Sequence, residues 1–544
     1  QPAWRHLGVG IGLTVGIAVS ASHGQLLQRL IGSPLDERYN SCATLAGPGG
    51  GYVGVGSVGS TTGDSNMLIT LNDDAGRLIW ARALGTPSMD EATSVISARD
   101  GSLLVAGLSA QDPNKSIVLV KMTRSGNVVW TQRFAGNCLE DYVARFRPVV
   151  AEGSDGQLHM VAHNAVQTPN GVVQFGRIMT TQAGGAVVTD VQFAQVGESA
   201  MVSPSDLRVE PGANGDVLVI SGSKLRSDPF LRSGFVARFN AQAGFLSALQ
   251  YNGVNPQDQQ LTDLSFSSIN GQGAGPGATV YVNGSGDVGE FGNQQAVLMK
   301  VLPLGVGSWA LRFANIEPAQ AGLKIPTTVN LVWVGTFNFG DGGRIAQVQS
   351  TDITGLQNWH FNYQYPFSSG ASGLAFSPLN GDHIVMGDGF DFFEGYGPSD
   401  GLFIRTDQFG HLAEGPCGEQ TLPEGEPWQP IVGSLVLARQ PVDPAGPWLF
   451  EDRLLVLRDD RFCPGPVANC CIADVASDSS DTVYNPSGSI GPEDLEAFVN
   501  GYIISNAAIA DVASDSADTT CNPNGSVGPE DLEAFVNSFL AGCP

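Results

Sequence analysis

The chain has 544 residues, of which 70 are glycine, 42% are hydrophobic and only 15% are charged, with a formal charge of −26. That apolar content builds real cores and excludes a disordered chain. The acidic excess excludes a nucleic-acid binder, which needs cations against phosphate, and disfavours adsorption to an anionic membrane surface. Glycine at nearly twice the usual ~7%, beside many Val, Leu, Ile and Thr, predicts short strands joined by tight turns.

Residues 1–24 read as an export signal: Arg5 and His6 precede an apolar run from Leu7 to Val19, followed by Ser20, Ala21 and Ser22. A run of about 13 apolar residues is too short for a ~30 Å hydrocarbon core. A secreted or cell-surface protein is expected, with no membrane span in the mature chain. Eight cysteines fit that setting as disulfides. Six of them follow residue 415, and Cys417 with Cys463, and Cys470 or Cys471 with Cys543, are the expected pairs.

Residues 36–415 repeat a unit of roughly 50 residues, the period of propeller blades. The copies Gly51–Gly85 and Gly101–Gly136 each hold an apolar strand, a polar loop, an alternating strand, a Gly-containing hairpin and a strand with a Trp, Trp80 or Trp130. Further copies fall at Gly156–Gln195, Asp216–Gln250, Ala278–Ala314, Asn330–Tyr363 and Asp382–Gly415, with Trp309 and Trp359 in the same place. Seven copies predict a mainly β chain built on a seven-bladed β-propeller, with six or eight blades tolerated by the spacing. The closing-strand pattern resembles that of bacterial exported repeat propellers.

Enzymatic motifs are weak on this scaffold. Gly54, Gly56 and Gly59 match GxGxxG, but another strand follows where a dinucleotide site needs a helix. His159 and His163 form HxxxH within a strand pattern and lack the Glu of metalloproteases, so they read as strand residues. The acidic, aromatic stretch Asp388–Asp400 reads as an inter-strand loop or as a glycan- or cation-binding rim. Residues 416–469 follow as a connector, read as a β-hairpin formed by Ile431–Ala438 and Trp448–Leu457.

Residues 470–544 carry eight Asp, four Glu and no Lys, Arg or His. Asp474–Ser479 recurs as Asp511–Ser516, and Gly491–Asn500 recurs unchanged as Gly528–Asn537. Each copy reads as a loop followed by a helix. Proline opens each helix and acidic residues favour its amino end. Leu495, Phe498, Val499, Tyr502 and Ile503 form one apolar stripe, and Leu532, Phe535, Val536, Phe539 and Leu540 the other. The two stripes are expected to bury each other in a small all-α domain.

Counting back from an acid at loop position 12, with glycine at position 6, gives an EF-hand-like oxygen set suited to Ca²⁺. In the first copy these are Asn485, Ser487, Ser489 and Asp494, and in the second Asn522, Asn524, Ser526 and Asp531. Thr520 and Val483 stand at position 1, so Asp518 and Asp481, or Asp residues further upstream, complete the loops. The duplication, the Gly525 to Leu532 core and the stripes make the tail resemble a type I dockerin. That resemblance implies calcium-dependent folding and docking to a cohesin or another surface receptor. Pro492-Glu493 and Pro529-Glu530 replace the small hydroxyl residues that dockerins often present there. The expectation is a propeller recognition platform, with a glycan among its candidate ligands, docked through the tail. The alternative is an extracellular polysaccharide hydrolase or lyase with its site in the propeller channel, anchored by the same tail.

Overall fold

The structure, a computed structural model, describes residues 27–412 apart from stretches of one to ten residues between strands. It further describes six strands between residues 419 and 463, and residues 492–503, 510 and 527–541. Seven antiparallel sheets form a seven-bladed β-propeller, as the repeat predicts. The innermost strands are Glu37–Thr44, Asp90–Ser97, Val149–Glu152, Val202–Glu210, Asp263–Gln272, Ile316–Lys324 and Ser368–Phe376, and each packs beside the next in a closed ring. We number the blades 1 to 7 in that order. The sequence repeats begin one strand later than the blades, on the second strand of each.

Blade 7 supplies only three strands from its own segment. Its fourth is Leu27–Gly32, which pairs Leu27 with Arg405 and Ile31 with Gly401. Amino- and carboxy-terminal parts of the ring thereby share one sheet, which closes the propeller without an exposed seam. The described strands of residues 416–469 do not pair with one another as the expected hairpin would. Ile431–Ser434 pairs with Phe245–Asn252 of blade 4, and Leu437–Pro441 with Val187–Gln195 of blade 3. Glu451–Leu455 pairs with Leu78–Gly85 of blade 1. With Glu419–Gln420 on blade 6, Glu426–Trp428 on blade 5 and Arg458–Cys463 beside Leu27–Gly32, the segment forms a belt around the outer edges. Each of these short strands pairs with the outer strand of a different blade, and that pairing covers the blade's edge.

Between blades the packing is apolar and close. Val53, Val55, Met67 and Ile69 of blade 1 meet Val95, Val105 and Val118 of blade 2 in one buried cluster. The recurrent Trp bridges blades: Trp80 donates from Nε1 to Arg124 O at 3.1 Å, and Trp130 to Ala183 O at 3.2 Å. Trp130 lies against Gly185, whose φ of +89° only glycine adopts without strain, and a Cβ there would sit 3.0 Å from the indole.

A second set of staples lies near the axis. Innermost strands of blades 1, 2 and 4 each carry a β-bulge, at Asn40, Thr93 and Ser205. Asn40 donates to Ala92 O at 2.8 Å and Thr93 to Pro148 O at 2.6 Å, each reaching the following blade. Asp206, beside the third bulge, accepts from Ile269 N of blade 5 at 2.8 Å.

These buried polar groups make the fold pH-dependent. Burial pushes the imidazoles of His163 and His383 down to about 4 from 6.5. Groups depressed in this way add stability above pH 6.5 and lose it as pH falls through 4. Burial pushes Asp206 up to about 6 from 3.8, so its contribution is full below 3.8 and is lost as pH rises through 6. Burial likewise lowers His159 and raises Asp90 and Glu210, so the histidine and carboxyl terms oppose each other in this window. Removing one histidine isolates its term, so the urea midpoint of His383→Phe is expected to fall less between pH 6.5 and 4 than that of the unaltered protein. His383 sits in the pocket formed by Trp359 and Phe376, and the difference between the two proteins at pH 4 is expected to be about 3 kcal/mol.

Candidate functional site

The two predicted tail helices are α1 (Pro492–Ile503) and α2 (Pro529–Ala541). Proline at the first turn has no N–H to leave unsatisfied. At the start of α2, Gly528 N donates to Asp531 Oδ2 at 2.8 Å and Asp531 N donates to Gly528 O at 3.2 Å. This reciprocal pair caps the helix. Ala497 and Phe498 on α1 and Ala534 and Phe535 on α2 are buried. The Phe498 and Phe535 rings stack with centroids 3.9 Å apart and planes 8° apart, and Tyr502 also stacks on Phe498, at 5.9 Å.

Only part of each expected stripe is buried. Leu495, Val499 and Ile503 on α1, and Leu532 and Val536 on α2, are exposed, Ile503 to 73%. They follow an i, i+4, i+8 spacing that places them on the flank of the buried Asp494, Ala497, Phe498 and Gly501 face. Among the described residues the Phe498–Phe535 stack and the alanines beside it are covered, while the flanking branched residues stay in solvent. The side chains of Phe539 and Leu540 lie outside the described residues.

Of the expected calcium ligands, Asp494 and Asp531 are fully buried near the amino ends of equivalent helices. Asp481, Asn485, Ser487, Ser489, Asp518, Asn522, Asn524 and Ser526 lie outside the described residues. Two buried carboxylates in a segment without a basic residue, alongside an all-oxygen donor set, fit a hard divalent cation.

On the propeller, carboxylates of the innermost strands bind their own neighbours. Glu91 accepts from Asn40 Nδ2 at 2.8 Å and lies 3.1 Å from Arg147 Nη2. Asp206 accepts from Ile269 N and Leu207 N, both at 2.8 Å. The glycines at 54, 56 and 59 lie in one blade strand, Tyr52–Gly59. His159 and His163 share the strand Leu158–Thr168. Four residues along a strand are about 13 Å, so this HxxxH does not pair on one metal. His163 Nδ1 lies 3.0 Å from Ser203 Oγ of blade 4. Asp388 lies in the strand His383–Phe390, 3.3 Å from Arg344 Nη1 of blade 6, and residues 391–398 of the acidic stretch lie outside the described residues.

Cys42 is a buried, unbonded thiol that burial pushes up to about 12, so the cysteines do not all pair. The expected partners Cys417, Cys470, Cys471 and Cys543 lie outside the described residues.

These features define a seven-bladed β-propeller followed by a pair of equivalent helices. No protein-family model and no curated protein matches the chain. Among solved structures it is similar to a protein of unknown function from Bacteroides caccae, at 13% identity over 53% of this chain and 94% of that one, with a TM-score of 0.30. It is also similar to Sqt1 from Chaetomium thermophilum, at 12% identity over 69% and 99%, TM-score 0.30. A Bombyx mori GH32 β-fructofuranosidase matches at 10% identity over 76% and 93%, TM-score 0.26. These likenesses carry no argument about what this chain does.

Proposed function

We propose that the chain is an exported binding and scaffold protein. Its propeller is the recognition platform, with glycans among its candidate ligands. Its tail is a dockerin-like module that Ca²⁺ orders for docking to a cohesin-like or other surface receptor. The observation that carries the reading is the equivalence of Asp494 and Asp531, both fully buried near the starts of duplicated helices in a segment without basic residues. Carboxylates at equivalent buried places, in a segment rich in oxygen donors and without basic residues, are a donor set suited to a hard divalent cation. A divalent cation would be held in each loop by Asp494 or Asp531, with loop oxygens from Asp481, Asn485, Ser487 and Ser489 in the first and from Asp518, Asn522, Asn524 and Ser526 in the second. Folding and ion binding are then one equilibrium. The exposed ridge of Leu495, Val499 and Ile503, with Leu532 and Val536 on the sister helix, offers the apolar surface a receptor would cover.

Hydrogen exchange of the full chain with and without chelator tests this reading. Chelation is expected to remove amide protection from α1 and α2 while the blade strands keep theirs. Protection of both helices unchanged by chelator would refute it.

A further inference from the structure

The second residue of each blade's second strand points into the packing between blades. In blades 1, 2 and 7 it is a fully buried apolar residue packed against the following blade: Val53, Leu104 or Ile384. In blade 3 the same position holds His159, also fully buried. Its Nδ1 lies 3.1 Å from Thr180 Oγ1, but its Nε2 is buried with no hydrogen-bond partner. A polar nitrogen in a place built for a leucine, with one side unsatisfied, costs stability unless something binds it.

Two carboxylates converge on that nitrogen. Asp155, exposed on the 153–157 hairpin of blade 3, and Asp216, buried at the start of the second strand of blade 4, each place an oxygen in the same group. The three donor atoms lie within 4.8 Å of one another. Both carboxylates are oriented by local bonds: Gln157 N donates to Asp155 Oδ1 at 2.9 Å, and Ser154 donates from N and Oγ to the two oxygens of Asp216. Gly153 leaves the space between them open. A Cβ there would sit 2.6 Å from Asp216 Oδ2, 2.9 Å from His159 Nε2 and 3.0 Å from Asp155 Oδ1.

We propose that Asp155, His159 and Asp216 bind a divalent transition-metal ion of the zinc class, clamped between blades 3 and 4. One imidazole and two carboxylates are a borderline donor set that such ions accept, and exposed Asp155 leaves a side open to water. Burial lowers the His159 pKa, against the pull of Asp155 and Asp216, which favours the neutral imidazole that ligation requires. The site joins two blades, so the ion stabilises their packing as well as being held by it. It is separate from the tail and uses nitrogen, which Ca²⁺ avoids.

The test is a Zn²⁺ titration of the full chain by calorimetry in excess Ca²⁺, which occupies oxygen-only sites, with Co²⁺ absorption as a second readout. The expected result is one saturable Zn²⁺ per chain and a visible Co²⁺ band. His159→Gln should abolish the band and weaken Zn²⁺ on the order of 100-fold, and exposed Asp155→Asn about tenfold. Gly153→Ala, which puts a methyl in the space between the donors, should also abolish binding. No saturable Zn²⁺ site, or a site whose affinity Asp155→Asn and Gly153→Ala leave unchanged, would overturn the assignment. Neither variant removes a core side chain, so the test holds even where His159→Gln fails to fold.

Discussion

Arg177→Met is expected to lower the stability of the propeller by about 3–5 kcal/mol, read as a shift in its urea midpoint. Arg177 and Asp190 are a fully buried, two-pronged pair in blade 3, Nε to Oδ1 at 2.7 Å and Nη2 to Oδ2 at 2.6 Å. The third guanidinium nitrogen donates to Ala135 O of blade 2, and the group stands 6.0 Å from the Phe134 ring. Removing the cation leaves the Asp190 carboxylate charged in an apolar interface, and that uncompensated charge dominates the loss. Asp190→Leu combined with Arg177→Met should therefore recover most of it, because well-packed apolar residues replace a buried ion pair at little cost. A double variant as unstable as the single one would show that the guanidinium's contacts to blade 2, rather than charge compensation, set the energy.

Phe535→Ala is expected to unfold the helix pair while leaving the propeller intact. Truncating a buried Phe costs about 3–5 kcal/mol, comparable to what a single small core supplies. Among the described residues, the contact between α1 and α2 centres on the Phe498–Phe535 stack, beside Tyr502 and the buried alanines. Loss of the helical far-ultraviolet signal with an unchanged propeller transition is the expected readout. Leu532→Ala, on the exposed flank, should by contrast leave the helical signal in place. If the two substitutions behave alike, the buried face has been misidentified.

The second and third strands of each blade were legible because they alternate or run apolar and end in glycine hairpins, as at Gly126 and Gly185. Trp80 and Trp130 marked the fourth strand, and each indole bridges from its blade to the next. The innermost strands escaped because polar bulges at Asn40, Thr93 and Ser205 break the two-residue alternation. Pairing of Leu27–Gly32 with Gly401–Arg405 spans most of the chain, and no local pattern encodes such a partner. The belt misled for the same reason: two apolar runs close in sequence look like a hairpin, although each finds a different blade.

In the tail, the helices and their proline starts followed directly from the duplicated sequence. Helical periodicity located the apolar stripes but not which part of each is covered, because that depends on how the helices cross. The metal-competent cluster on the propeller was hidden differently. His159 was visible only as half of an HxxxH, whereas its converging groups come from the adjacent hairpin and from Asp216 in the next blade.

Calcium binding by the tail is the claim on which the functional reading stands, and equilibrium titration of the full chain with Ca²⁺ tests it most directly. The account predicts saturable binding of one ion per loop, two per chain, with Asp494→Ala and Asp531→Ala each removing one. Absence of saturable Ca²⁺ binding, or full binding retained when both aspartates are replaced, would contradict it.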